Sequence, residues 1–329
     1  MNMRLFSNNE WDELKTVIVG TMAGFQPSFE FNTVVDQKLV ETAQKIVWEA
    51  YPSSYIEEVT EDLEALCDIL RANGVTILRP QWPYADNVFH TPAWTAGGFD
   101  IYNVRDLHIV FGNKLIVSAP SSRFRLFENQ ALQTLFYENF FQSNMDWICA
   151  PTPQLQGEFI RELSKNSNNM QKLEETLHAS LSGGLSEVWH RLEEKEIIFD
   201  AANVIRFGQD ILYLVSSTGN KKAAQWLQNT LPDYRVHITD AYRSSHLDST
   251  ILPLREGTVL LNGARVNESN TPELLDKWDK LYFNEPSAVC PAEIEFHKNV
   301  RLPAYHKLKD LGAVSSIGHI SSPWAGLNV

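Results

Sequence analysis

Apolar positions along this chain fall into short β-branched runs separated by stretches with helical spacing, and the same order keeps returning. From Leu107, LHIVFGNKLIVSAP gives two apolar runs split by Gly112-Asn113, a tight-turn dipeptide, which predicts a hairpin. The following RFRLFENQALQTLFYENFFQ is apolar at i, i+3 and i+4 and predicts a helix, and DWICAP predicts a short strand behind it. Strand, strand, helix, strand recurs from Ile197: IIFDAANVIRFG and DILYLVS as strands, NKKAAQWLQNTL as an amphipathic helix, YRVHIT as the closing strand. A third copy runs from Asp248 through STILPL, TVLLNG, a helix over TPELLDKWDK and the short strand LYF. In that helix Thr271 is the expected N-cap and Pro272 suits the first helical position.

The N-terminal part repeats the unit without its first strand. TVIVG precedes the helix YIEEVTEDLEALCDILRANG, with an apolar stripe of Ile56, Val59, Leu63, Leu66 and Leu70. Gly74 stops that helix and VTILRP closes the unit. A ring of such units would take the missing strand from the far C-terminus and leave few exposed sheet edges. Near the C-terminus an irregular stretch leads to LPAYHKLKDLG and then SSPWAGLNV, which reads as the opening strand of a further unit, and the sequence ends at Val329. The expectation is an α/β chain of four recognisable units and a stub. Between the second and third units, residues 157–196 form a polar, helix-prone insertion with a solvated charge pattern. Its Gly183-Gly184 pair reads as a helix break, with no GxxxxGK[ST] pattern to make a phosphate loop.

Composition narrows the classes. A hydrophobic fraction of 43% with 21% charged residues is that of a globular protein with a substantial core. No stretch approaches the ~20 uninterrupted apolar residues of a membrane span, and the start lacks the pattern of a secretory signal. Cys67, Cys149 and Cys290 are widely spaced, so neither a disulfide framework nor a zinc site is indicated, and a cytoplasmic location is expected. A net charge of −13 argues against a phosphate backbone as partner.

Candidate chemistry lies at strand ends. Asp106 precedes one strand, Asp200 interrupts the apolar run IIFDAANVI, and Asp248 follows His246 at the head of another. A carboxylate in such a run is costly to bury without a strong partner. Each by itself could cap a turn or pair with a nearby arginine. Together, carboxylates converging on a crevice suit a planar cation such as the guanidinium of arginine, and His246 adds proton transfer near neutral pH. A metal site is weakly supported, because no second histidine stands at ligand spacing, and no GxSxG elbow marks a serine hydrolase.

Four stretches, FDAANVIRFGQDILYLVSSTGNKKAAQWLQ, SSHLDSTILPLREGTVLLNGARVN, RDLHIVFGNKLIVSAP and EWDELKTVIVGT, resemble the amidinotransferase family, nearer its inosamine-phosphate branch than its glycine branch. The resemblance runs from about Asn9 to Val329 and implies a pentein-type α/β propeller of ββαβ units with pseudo-fivefold symmetry. Residues 1–329 would form a single domain whose fifth unit is mostly missing. It also implies transfer of the amidino group of L-arginine to an amine acceptor, glycine or an aminocyclitol phosphate, through an amidino-cysteine, with release of ornithine.

Carried onto matching positions, Asp200 is the catalytic aspartate and His246 the acid/base. Asp106 and Asp248 grip the guanidinium, Arg265 pairs with the substrate α-carboxylate, and Ser321 and Ser322 line the pocket. No cofactor or metal is implied, and neither nucleic acid nor membrane is an expected partner; a homodimer is left open. The family's nucleophile lies in a Gly-Gly-Gly-x-His-Cys stretch that has no match here. Cys67 on a helix stripe and Cys149 in a closing strand read as buried structural residues, and Cys290 precedes a proline in irregular chain. The chain is therefore expected to lack the matching cysteine and to be inactive as written. The alternatives are a non-catalytic arginine-binding protein of the same fold, or a guanidino-compound hydrolase.

Overall fold

The computed structural model describes residues 5–51, 53–82, 87–157, 160–162, 190–242, 245–263, 265–283, 299–300 and 302–313. After β1 (Thr16–Ile18) come β2 (Gln26–Phe31), α1 (Gln37–Glu49), α2 (Ser53–Ala72) and β3 (Thr76–Leu78), which returns parallel to β1. α2 is the helix the stripe predicts, and Gly74, at φ +81°, ends it. Leu63 and Cys67 are buried, and Ile56, Val59 and Leu70 pack beside them. Leu66 departs from the expected stripe and is 45% exposed, because Cys67, one residue on, takes the buried place.

β2 belongs to a layer the apolar pattern did not announce. It pairs with β5 (Thr95–Phe99), whose other edge carries β4 (Val88–His90), all antiparallel. The centre of β5 is Gly97-Gly98. A Cβ on Gly97 would lie 2.3 Å from the Phe29 ring, so the strand gives up side chains there to let Phe29 pack across it. Asp36 caps α1 by accepting from the Leu39 amide.

The next three sheets share one connectivity. β6 (His108–Phe111) and β7 (Lys114–Val117) form the Gly112-Asn113 hairpin. After α3 (Gln133–Gln142), β8 (Asp146–Cys149) joins parallel to β7. The predicted single helix is in fact 3-10 over Arg123–Leu132 and α-helical only in α3. Arg123 and Glu128 are turned inward, and their partners on neighbouring elements set the winding: Arg123 donates to the carbonyls of Phe31 and Leu155. At the root of the insertion, β9 (Ile160–Glu162) pairs antiparallel with β10 (His190–Leu192), where helix was expected. Residues 163–189, including Gly183-Gly184, lie outside the described residues.

β11 (Val204–Phe207), β12 (Asp210–Leu214), α4 (Lys221–Thr230) and β13 (Arg235–Thr239) make the second complete unit, with Asn220 capping α4. Its first strand starts later than expected, since Ala201–Asn203 is a 3-10 turn. β14 (Ile251–Arg255), β15 (Thr258–Asn262) and β16 (Asp279–Phe283) make the third. The predicted helix between its last two strands shrinks to a 3-10 turn at Glu273–Leu275. Thr271 does not cap it: its hydroxyl donates back to the Asn267 carbonyl at 2.7 Å, and Pro272 is extended (φ −58°, ψ 137°). α5 (Leu302–Asp310) follows; Ser321, Ser322 and SSPWAGLNV lie outside the described residues.

Adjacent sheets share cores. Ile109, Phe111 and Ile116 pack with Phe199, Ile211, Tyr213 and Leu227, while Ile205, Leu212 and Leu214 pack with Ile251, Val259 and Leu261. An N-terminal strap crosses all three: Ser7 bridges Gly112, Asn9 bridges Phe207, and Trp11 meets Trp278 edge-on. No described helix is long and apolar enough to cross a membrane.

Candidate active site

Asp106, Asp200 and the segment His246–Asp248 hold equivalent places in successive units, each just before the first strand of a hairpin. Asp106 ends a 3-10 turn before β6, Asp200 heads the turn before β11, and Asp248 lies three residues before β14. The turns are tied together. Arg105 donates to the carbonyls of Ala201 (3.2 Å) and Val204 (2.7 Å), and the Leu247 amide donates to the Ala202 carbonyl at 2.9 Å. Sheet packing thus brings residues from three separate units into one buried cluster.

At its centre His246 Nε2 lies 2.9 Å from Asp200 Oδ2. Burial works against the imidazolium, but Asp106, the Asp200 hydrogen bond and Asp248 outweigh it and push His246 up to about 9. Asp248 is pushed up to about 6 by burial, against the pull of Arg105 and His246. For Asp106, burial is overcome by His246 and Arg125, which hold its carboxyl below the ordinary range.

Each carboxylate gives one oxygen to a cation of the protein. Asp106 Oδ2 meets Arg125 Nη1 at 2.7 Å, Asp248 Oδ2 meets Arg105 Nη1 at 3.2 Å, and Asp200 Oδ2 meets His246. Pairing with an arginine therefore does hold for Asp106 and Asp248. The second oxygens of Asp200 and Asp248 are buried and make no hydrogen bond. Buried acceptors of this kind are normally satisfied, so these two are open to a cationic ligand. Arg265 Nη1 donates to Thr250 Oγ1 at 3.3 Å, two residues beyond Asp248, which places it at the same loop.

Sequence reasoning missed the supporting ions. Arg125 also donates through Nε to the fully buried Glu128 (3.0 Å), whose carboxyl burial pushes up to about 8 despite Arg125. Glu10, from the strap, lies 2.6 Å from Arg206 and 3.6 Å from Arg105. The i, i+3 spacing of Arg125 and Glu128 was a readable signal; the Glu10 contacts had none.

Cys67 packs with Val19, Met22 and Leu63 and accepts from Arg79 Nη1 at 3.0 Å. Cys149, expected to be buried, is exposed: it is the last residue of β8, an outer strand of its sheet. Partial burial of its sulfur pushes that thiol up, the opposite of what a thiolate nucleophile needs. Cys290 lies outside the described residues. Among the described residues, no group of three or more His, Cys, Asp or Glu is placed to hold a metal ion.

No profile of a known protein family matches the chain. Among characterised proteins, it is 34% identical over 327 residues to inosamine-phosphate amidinotransferase 1 of Streptomyces glaucescens, covering 98% of this chain and 81% of that one. It is 28% identical over 295 residues to the L-arginine:L-lysine amidinotransferase of Pseudomonas savastanoi pv. phaseolicola, covering 85% and 74%. Among solved structures, the inosamine-phosphate amidinotransferase of Streptomyces griseus matches with a TM-score of 0.68 at 29% identity, over 98% of this chain and 92% of that one. An amidinotransferase of saxitoxin biosynthesis from Microseira wollei matches with a TM-score of 0.66 at 30% identity, over 85% and 76%.

Proposed function

This chain belongs to the amidinotransferase family of transferases, and on that premise we propose that its buried carboxylate–histidine cluster binds the guanidinium of L-arginine for transfer of its amidino group to an amine acceptor. The observation that carries this reading is the Asp200–His246 contact at 2.9 Å flanked by two buried carboxylate oxygens without partners. Asp248 and Asp106 grip the guanidinium, and Arg265 receives the α-carboxylate. Ser321 and Ser322, pocket residues by the resemblance alone, lie outside the described residues. The ββαβ sheets support a pentein-type propeller with pseudo-fivefold symmetry, with 1–329 as one domain and 157–196 inserted in it.

In the proposed reaction a cysteine thiolate adds to the guanidino carbon, and the bond from that carbon to the ornithine nitrogen breaks with its electron pair going to nitrogen. His246, protonated at neutral pH and oriented by Asp200, gives that nitrogen its proton, and an amidino-thioether remains. The acceptor amine then adds to the same carbon, gives its proton back to His246 and expels the thiolate. The thiolate is assigned to neither Cys67 nor Cys149, for the reasons of packing and acidity above. The acceptor in this reading is an aminocyclitol phosphate or glycine; relatives named inosamine-phosphate and glycine amidinotransferases support these two.

Calorimetric titration with L-arginine tests the binding step: Asp248→Asn is expected to weaken affinity at least about tenfold, since one charged hydrogen bond is worth about 1.5–3 kcal/mol. Ornithine release from L-arginine, dependent on an added amine, tests transfer. Citrulline without any amine requirement would overturn transfer in favour of hydrolysis, and arginine binding without ornithine release would favour a binding protein.

A further inference from the structure

The backbone carbonyl of Ser245, immediately before His246, is approached by three buried side-chain donors. Ser216 Oγ lies at 2.6 Å, Thr218 Oγ1 at 2.7 Å and Asn203 Nδ2 at 3.0 Å. Distances show where these protons go. The Ser216 hydroxyl accepts from Asn203 Nδ2 (2.7 Å) and from the Thr218 amide (3.1 Å), and its own proton has Ser245 at 2.6 Å as the near acceptor against Thr218 Oγ1 at 3.3 Å. Thr218 can give its proton to Ser245 or to Asn203 Oδ1 at 2.9 Å. The Asn203 amide divides its two protons among Ser216, Ser245 and the Leu214 carbonyl.

The same turn also reaches the other half of the catalytic pair. The Asp200 amide donates to the Thr218 carbonyl at 3.0 Å, and the Asn203 amide donates back to the Asp200 carbonyl at 3.0 Å. The turn itself closes by Ser216 N to Gly219 O at 2.8 Å. One donor would satisfy the Ser245 carbonyl, so three exceed what burial requires. Among the described residues, the loop that carries His246 belongs to no strand; the Leu247 and Asp248 amides donate to the Ala202 carbonyl, and the Leu247 carbonyl accepts from the Thr250 and Ile251 amides.

We propose that Asn203, Ser216 and Thr218 are positioning residues that set His246 against Asp200, one turn fixing the backbone of both. The purpose of this device rests on the amidino-transfer reading; its geometry does not. A general acid works only within a few tenths of an ångström of its productive place, and such placement comes from buried hydrogen-bonded neighbours.

The test is histidine NMR titration of the full chain, following His246 with His237 as an internal control. His246 is faced by Asp106, Asp200 and Asp248, with Arg105 and Arg125 behind them; His237, on β13, is held by Asp210 at 2.7 Å and makes no hydrogen bond to Asn203, Ser216 or Thr218 among those of the described residues. Ser216→Ala is expected to move the His246 titration down from about 9 by about one pH unit, a tenfold loss of proton affinity, while His237 stays in place. Thr218→Val moves it less, because that proton is shared, and Thr218→Ser restores it. An unmoved His246 in both Ser216→Ala and Thr218→Val overturns the proposal, and so does a parallel shift of His237, which would mean general loosening. Should Ser216→Ala fail to fold, the Thr218→Val and Thr218→Ser pair decides. Failure to find amidino transfer leaves the titration result standing on its own.

Discussion

Replacing Glu10 by glutamine removes a charge from the strap while keeping its shape. The Glu10 carboxylate receives Arg206 through Nε at 2.9 Å and Nη2 at 2.6 Å, with Arg105 at 3.6 Å. Burial alone would raise its carboxyl, but the two arginines reverse that, so it titrates at about 2 where an unperturbed glutamate titrates at 4.5. A group so depressed contributes about 3 kcal/mol when ionised. That contribution is complete above 4.5 and disappears as pH falls toward 2. Glu10→Gln is therefore expected to lose about 3 kcal/mol at pH 7, the low end for a broken buried pair, because Arg206 keeps Ser7 Oγ and the Val110 carbonyl. Urea unfolding followed by tryptophan fluorescence reads the difference. Between pH 7 and pH 3.5 the wild-type advantage should shrink by about 1.4 kcal/mol, because the unfolded chain's carboxylate takes up a proton below 4.5 while the native one, at about 2, stays ionised. An advantage equal at both pH values would refute the ion-pair account and leave only packing.

Asp200→Asn removes the carboxylate bonded to His246, so the His246 titration, followed by NMR, should fall from about 9 toward 6.5. Arginine affinity should weaken as pH is lowered through about 6, where Asp248 takes up a proton and can no longer accept from a guanidinium; calorimetry at pH 5 and 7 checks it. Gly219→Ala would put a Cβ 2.7 Å from Tyr213 Oη and 2.8 Å from the Asn203 amide, and is expected to cost about 1–3 kcal/mol in urea unfolding. Arg125→Met leaves the buried Asp106 carboxylate without its arginine and Glu128 without its donor, and a loss of about 3–5 kcal/mol is expected, measured the same way.

The repeated hairpins were legible because each is a local event. A β-branched run, a turn dipeptide at Gly112-Asn113 and a second run need no information from elsewhere. The layer of β2, β4 and β5 was not legible: Gly97-Gly98 at its centre carries no apolar signal, and β5 is held by pairing with β2 and β4 on its two edges, with the Phe29 ring packed over Gly97. Helix winding failed in the same way at Arg123–Leu132 and at Thr271, where partners on other elements overruled spacing and capping preference. For the site, the spacing of Asp106, Asp200, His246 and Asp248 at strand ends could be read, and the structure brings all four together.

The sequence by itself determined the order strand, strand, helix, strand and the residue types at the head of each unit, since both follow from patterns a few residues long. Only the tertiary structure decided which charges meet: Asp248 with Arg105, Asp106 with Arg125, and Glu10 with Arg206 across 196 positions of chain. It also decided that the second oxygens of Asp200 and Asp248 stay open. Those facts depend on which faces the packed sheets present to one another, and periodicity reports only neighbours within a turn or two of helix or along one strand.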